Sequence, residues 1–285
     1  KESTEADTVV FNLQTPTLFI DIRFPKLRPD FSKRGGPECL TISELRCLSR
    51  QHTFAGYSKV LPKGGDDPAA VCTRHHALDW NYHPKFPRSR PNRWRIELSP
   101  DKNSFKEYSV ALGPYKQAVY FERWQRYPDG KGPYLALRRV LTSTTPNEVE
   151  TFLIIVGNHF GYARDRQHPL PEFESKAGGC GNLVDSAFER GERDKMEHLL
   201  ELEGTYGHIR NPKGEISWNI HKSTHPWREG KPFMEAGSAI FPSENGKVPE
   251  SIFLFGEKFE VFECNFSALE LRELFMIAPG PVSKL

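Results

Sequence analysis

Cysteine is scarce in this 285-residue chain, and Cys39, Cys47, Cys72, Cys180 and Cys264 include no C-x-x-C pair. That spacing argues against both a disulfide framework and a zinc knuckle, and it fits a reducing, intracellular and cytoplasmic setting. Long apolar runs are missing too. The longest, residues 152–156, falls far short of the roughly 20 residues a bilayer-crossing helix needs, so no membrane contact is expected. Charge of one sign is also absent: 39 Lys and Arg against 37 Asp and Glu leave a net charge of +2, too little to hold nucleic acid or an anionic surface. No G-x-S-x-G elbow, H-E-x-x-H helix, EF-hand loop or nucleotide fingerprint occurs, so the common hydrolase and oxidoreductase templates find no support and no cofactor is called for. The chain opens on polar residues without Met, which leaves a removed presequence open.

Present instead are 20 Phe against 3 Met, a balance that leans the core toward aromatic, strand-forming residues. Short β-branched and aromatic runs recur between Gly, Pro, Asn and Asp clusters, at 8–11, 18–24, 53–60, 73–82, 94–98, 105–112, 118–127 and 134–141. This is the pattern of a meander or barrel. Ile20, Ile22 and Phe24 alternate with Asp21 and Arg23, which predicts a strand with one buried face. The second half opens with an unbroken apolar strand, 151–158, and closes with a hairpin, 251–255 and 258–266, turning at Gly256-Glu257. Between them the apolar positions Leu183, Ala187, Met196, Leu199 and Leu200 predict one amphipathic helix over 182–200. The polar stretch 142–147 marks the boundary between two halves, 1–145 and 146–285. A faint echo links them: Trp80-Asn81-Tyr82-His83 and Trp218-Asn219-Ile220-His221 each follow a glycine-containing aromatic strand, at Phe54-Ala55-Gly56-Tyr57 and Gly204-Thr205-Tyr206-Gly207.

An ordered set of motifs adds to this reading. Leu18-Phe19-Ile20-Asp21-Ile22-Arg23-Phe24, Phe54-Ala55-Gly56-Tyr57, Leu78-Asp79-Trp80, Gly113-Pro114, Phe121-Glu122-Arg123-Trp124, Phe152-Leu153-Ile154-Ile155-Val156-Gly157 and Phe259-Glu260-Val261-Phe262-Glu263-Cys264 follow one another along the chain. In these the chain resembles a lipocalin-like family typified by a budding-yeast protein that interacts with a casein-kinase-type protein kinase. The resemblance implies an all-β fold of two tandem antiparallel barrels, the second here carrying the helical insertion. The chain lacks the Gly-x-Trp first-strand mark of true lipocalins, which argues against a secreted carrier.

A barrel of about eight strands has room for side chains or one small ligand, so inward polar residues carry the functional question. Strict alternation places Arg74 and His76 on the face of Leu78, Trp80 and Tyr82, and Glu122 on the face of Tyr120 and Trp124. The functional reading is a pocket with His76 and Glu122 as acid and base, and with Arg23, Arg74, Trp80, Tyr82, Tyr120 and Trp124 contacting a small hydrophobic or aromatic molecule. The competing reading makes Arg and Glu a structural ion pair and His76 a satisfied core histidine. Glu122 should have a raised pKa unless Arg74 or Arg23 pairs with it.

Other constellations are weaker. His75, His76, Asp79 and His83 cluster, and His221 and His225 are spaced H-x-x-x-H, but on extended strands four residues span about 13 Å and share no ion. No metal site is expected. Gly178, Gly179 and Gly181 around Cys180 suit either an anion site with an activated thiol or a plain linker. Lys85, Arg88, Arg90, Arg93 and Arg95 suit a solvated connection between two strands or a phosphate-bearing partner, with Trp94 as a stacking face. Three functions follow: a ligand-binding barrel, a cofactor-free isomerase, lyase or cyclase using His76 and Glu122, and an interaction module with filled barrels.

Overall fold

The structure is a computed structural model that describes residues 7–61, 70–81, 92–109, 121–141, 148–167, 170, 179–210, 216–235, 237–241 and 246–276. Among these residues the chain forms two curled antiparallel sheets and four short α-helices, an all-β fold consistent with two tandem barrels. The first sheet runs in chain order through β1 (Thr8–Gln14), β2 (Leu18–Pro25), β3 (His52–Leu61), β4 (Val71–Asp79), β5 (Asn92–Leu98), β6 (Ser104–Ser109) and β7 (Phe121–Gln125). The second contains β8 (Tyr134–Arg139), β9 (Thr151–Val156), β10 (His159–Arg164), β11 (Glu203–Arg210), β12 (Ser217–Ser223), β13 (Ala239–Ile240), β14 (Ser251–Leu254) and β15 (Glu257–Cys264). Its order is β12-β11-β10-β9-β8-β15-β14-β13, so the terminal hairpin docks beside the sheet's first strand. The hairpin turns at Phe255-Gly256, one residue earlier than expected, and both residues have positive φ, as a two-residue type I′ connection requires.

β2 corrects the expectation of one buried face. Leu18, Ile20, Ile22 and Phe24 face a core shared with the second sheet, while Phe19, Asp21 and Arg23 face the curl of the first sheet, and only Arg23 and Pro25 rise above full burial. Two covers exist because the sheet curls over one face and packs its other face on β9, β10 and the helices. Close approach there depends on glycine: a Cβ on Gly204 would lie 2.0 Å from Thr53 Oγ1.

The single helix expected over 182–200 is two, α2 (Cys180–Glu189) and α3 (Arg193–Leu199), separated at Gly191 in the left-handed region. Leu183, Val184, Ala187, Met196 and Leu199 join Leu45 and Leu48 of α1 (Ile42–Leu48) in the core beneath β2. The helices are inserted between β10 and β11 of the second sheet, as expected, and their apolar faces enter the core that the two sheets share. Helix α1 and α4 (Ala268–Phe275) begin with capping boxes, Thr41 with Glu44 and Ser267 with Glu270. Leu271 and Phe275 of α4 enter the second sheet's apolar interior.

The internal echo survives in its glycines and fails in its tryptophans. Gly56 and Gly207 each face an extra residue bulged out of the following strand, Ala77 and His221, and a Cβ on either would meet a backbone carbonyl within 2.4 Å, His75 at 2.1 Å and Asn219 at 2.3 Å. Trp80 lies four residues after the partner of Gly56, whereas Trp218 lies two before the partner of Gly207. The boundary placed at 142–147 falls outside the described residues.

Candidate functional site

The bulge at Ala77 decides which side chains enter the first sheet. Phe19, Gly56 and His76 are in register on one face, and Ile20, Ala55 and Leu78 on the other, so the residues flanking Ala77 point opposite ways. Strict alternation is broken there. Leu78 and Trp80 belong to the shared core, and Trp80 donates from its indole to the Ser49 carbonyl at 3.4 Å beneath the Arg166 guanidinium. Trp80 therefore does not contact the inner cavity, and Tyr82 and Tyr120 lie outside the described residues.

Register continues the inner face through Cys72 and Trp94, then through Phe105, Glu107 and Ser109 of β6 to Glu122 and Trp124 of β7. It is densely charged. Arg23 bonds to Asp21 at 2.6 Å and to Glu122 at 3.2 Å. Burial works against the Arg23 charge, but Asp21 and Glu122 outweigh it and hold its pKa above the usual guanidinium value. Arg74 pairs with Glu107 at 2.9 Å, and both side chains are essentially sealed from solvent. Its guanidinium also lies 5.4 Å from the Phe19 ring centroid.

Glu107 is the carboxylate the sequence reading overlooked. Burial pushes its pKa up to about 7, Arg74 opposes the rise, and the negative charges of Glu122 and Asp21 reinforce it. It sits directly across from Glu122 in the β6–β7 register. Phe105, Glu107 and Ser109 share one face of a period-two strand, a signal of the same kind as the one that singled out Glu122.

His76 takes Asp79 as its carboxylate partner, with Nδ1 to Oδ2 at 2.6 Å, while Glu122 takes Arg23. The carboxylate requires a proton on Nδ1, so in the neutral ring Nε2 carries the lone pair. That nitrogen is buried without a hydrogen-bond partner among the described residues, and the ring stacks on Phe54 at 4.7 Å.

A cavity of about 320 Å³ opens along β1 on this side of the sheet. Ile96, Leu98, Phe105 and Trp124 give it an apolar wall, and Arg74, Asn12 and Gln14 supply polar contacts. Of the residues singled out from sequence, Arg74 and Trp124 line it; Arg23, Glu122 and His76 share the inner face behind it. The far end carries a chain of hydrogen bonds with no sequence signature. His159 Nε2 meets Asp129 at 2.8 Å, its Nδ1 meets the Tyr206 hydroxyl at 2.7 Å, and that hydroxyl meets His208 Nε2 at 3.1 Å. Asp129 only accepts, so His159 donates to it from Nε2; with the ring neutral, Nδ1 then accepts from the Tyr206 hydroxyl, and that hydroxyl accepts from His208. Burial raises the Tyr206 pKa and lowers that of His208, which His159 and His221 lower further.

The other constellations resolve plainly. Cys180 is buried at the start of α2, its thiol directed at the Leu199 carbonyl, and burial raises its pKa, the opposite of an activated nucleophile. Among the described residues no three His, Cys, Asp or Glu side chains gather as a metal set. His225 stacks on Trp227 and bonds to the Leu200 carbonyl. A second hollow of about 370 Å³ lies between Arg164, Glu203, His225 and Arg228, where Arg228 already pairs with Glu203. No helix among the described residues is long and apolar enough to cross a membrane. No protein-family model, curated protein or solved structure matches this chain.

Proposed function

We propose that this chain binds a small hydrophobic or aromatic molecule in the cavity of its first sheet, as a member of the tandem lipocalin-like family its motifs resemble. One observation carries the reading: a hollow of about 320 Å³ with an aromatic wall, Phe105 and Trp124, and a few convergent polar groups, Arg74, Asn12 and Gln14. Pockets of this size and make-up are the ordinary form of a small-molecule site. The test is native mass spectrometry of protein purified from its own source, combined with fluorescence titration of the neutral probe N-phenyl-1-naphthylamine. Release of a small molecule, or probe binding that Leu98→Trp abolishes by filling the hollow, supports the reading. An empty protein that leaves the probe dark refutes it.

A second reading, a cofactor-free isomerase, lyase or cyclase, draws on the His76–Asp79 pair. An imidazole held by a carboxylate at Nδ1 with a vacant Nε2 is the arrangement of a general base. On this reading Asp79, rather than Glu122, orients the base, and His76→Ala removes turnover while leaving probe binding intact.

A further inference from the structure

This inference rests on the binding reading above and names the ligand's chemistry. The groups facing the interior of the first sheet are Asp21 and Arg23 from β2, His52 from β3, Cys72, Arg74, His76 and Asp79 from β4, Glu107 from β6 and Glu122 from β7. His76 is taken by Asp79, and His52 by Asn81. Among the described residues of this interior, three carboxylates, Asp21, Glu107 and Glu122, stand with two guanidiniums. Arg23 serves two of them, so Arg74 is left with Glu107.

That remaining pair is unevenly placed. Arg74 lines the cavity and Glu107 does not, so a molecule in the hollow reaches the cation without meeting its counter-ion. The Nε–H of Arg74 is buried with no acceptor among the described residues. Gln14, also on the cavity wall, lies 3.5 Å from an Arg74 terminal nitrogen and offers an amide beside it. Glu107 meanwhile stands opposite Glu122, and two carboxylates directly across a strand pair repel each other. Protonating Glu107 removes that repulsion, but without a replacement anion it leaves Arg74 buried and unpaired, which is costly.

We propose that the cavity takes a small aromatic carboxylate, its anion replacing Glu107 as the counter-ion of Arg74 while Glu107 takes up one proton from solvent. Charge balances: one anion and one proton enter, the guanidinium keeps its proton, and the interior keeps its net charge. Phe105 and Trp124 receive the ring and Arg74 the carboxylate, an oriented fit that a planar guanidinium favours. A Glu107 pKa near neutrality agrees with this exchange, since the proton then comes at little cost.

The test is isothermal titration calorimetry with 1-naphthoate and its neutral analogue 1-naphthamide, each in two buffers of different ionisation enthalpy. For 1-naphthoate we expect uptake approaching one proton per ligand above about pH 7, and an affinity that falls toward tenfold per pH unit there. Glu107→Gln copies the protonated side chain in shape, so it should bind 1-naphthoate without proton uptake and with a flat pH profile. Its circular dichroism spectrum checks the fold. Equal binding of acid and amide, or 1-naphthoate binding without proton uptake in the native protein, overturns this inference and leaves the binding reading standing. Failure of 1-naphthoate, 1-naphthamide and N-phenyl-1-naphthylamine alike brings down both.

Discussion

Along β2 the inner face of the first sheet reads Phe19, Asp21, Arg23; along β9 the inner face of the second reads Leu153, Ile155. The contrast extends around both curls. Phe160, Trp218, Ile220, Ile252, Leu254 and Phe259 fill the second with apolar side chains, and Leu271 and Phe275 of α4 pack into the same cluster. The first encloses ion pairs and a hollow. An apolar interior gains free energy with every side chain it buries, whereas a charged interior must spend coulombic attraction against desolvation and gains little net stability. The first sheet is therefore held mainly from outside, by the core that Leu18, Ile20, Ile22 and Phe24 share with the helices and the second sheet. That division frees its inner face for a ligand.

The largest effect should come from the filled side. Trp218 is fully buried among Phe160, Phe233 and Phe275 and donates to the Leu274 carbonyl at 3.0 Å. Trp218→Ala should cost about 3–5 kcal/mol in urea unfolding. Trp124→Ala, on the cavity wall, should cost much less and weaken probe binding instead. Similar losses at the two tryptophans would mean that both sheets are packed alike.

The buried pair comes next, and its effect has a pH sign. Arg74→Met removes the cation that holds the Glu107 pKa down, so Glu107 must stay as a buried unpaired carboxylate or take up a proton, and the variant should cost about 3 kcal/mol at about pH 8. The double variant Arg74→Met with Glu107→Leu should recover most of that loss. For the native protein, Glu107 titrates at about 7 when folded and near the ordinary glutamate value of 4.5 when unfolded. Between those values the folded state binds more protons, so the Glu107 contribution makes stability fall as pH rises across that window and become level above it. Glu107→Gln should remove this slope. An unchanged urea midpoint profile in that variant would contradict the assignment.

A smaller loss is expected at the mouth of the second sheet. Ser267→Ala breaks the capping box of α4 and should cost about 1 kcal/mol, frayed first at the helix that carries Leu271 and Phe275 into the interior. The corresponding loss at Thr41 would loosen α1 against the outside of the first sheet, so the two caps report on different cores.

How much of this was legible in the sequence follows from which signals are local. The strands, the terminal hairpin and the all-β class follow from alternation and turn residues, as at Ile20, Ile22 and Phe24. The capping boxes of α1 and α4 are equally readable as T-x-x-E and S-x-x-E. The faces of Leu78 and Trp80 were not readable, because one bulged residue, Ala77, reverses a period-two pattern and leaves no mark in composition. Arg74, His76, Glu122 and Trp124 were placed on the inner face by alternation, but their partners come from strands tens of residues away. Asp79 rather than Glu122 beside His76, and Glu107 beside Arg74, are facts of register.

The smallest effect should come from the chain at the far end of the cavity, where a charge is held differently from Glu107. Asp129 is half exposed, and the hydrogen bond from His159 lowers its pKa, so it stays ionised in water and, whenever the His159 ring is neutral, fixes the direction of every donor behind it. Asp129→Asn should cost less than about 1 kcal/mol, since an exposed charge contributes little to stability. It should nevertheless reorganise the buried part of the chain. An amide can donate as well as accept, so His159 is no longer forced to carry its proton on Nε2, and the Tyr206 hydroxyl loses its fixed orientation between His159 and His208. Nitrogen-15 spectra of the histidine rings should show one His159 tautomer in the native protein and a mixture in the variant. An unchanged tautomer would mean that Tyr206 and His208, rather than the exposed carboxylate, set the direction. Both ends of the cavity would then be governed by buried groups, and the contrast between Asp129 and Glu107 would reduce to exposure alone.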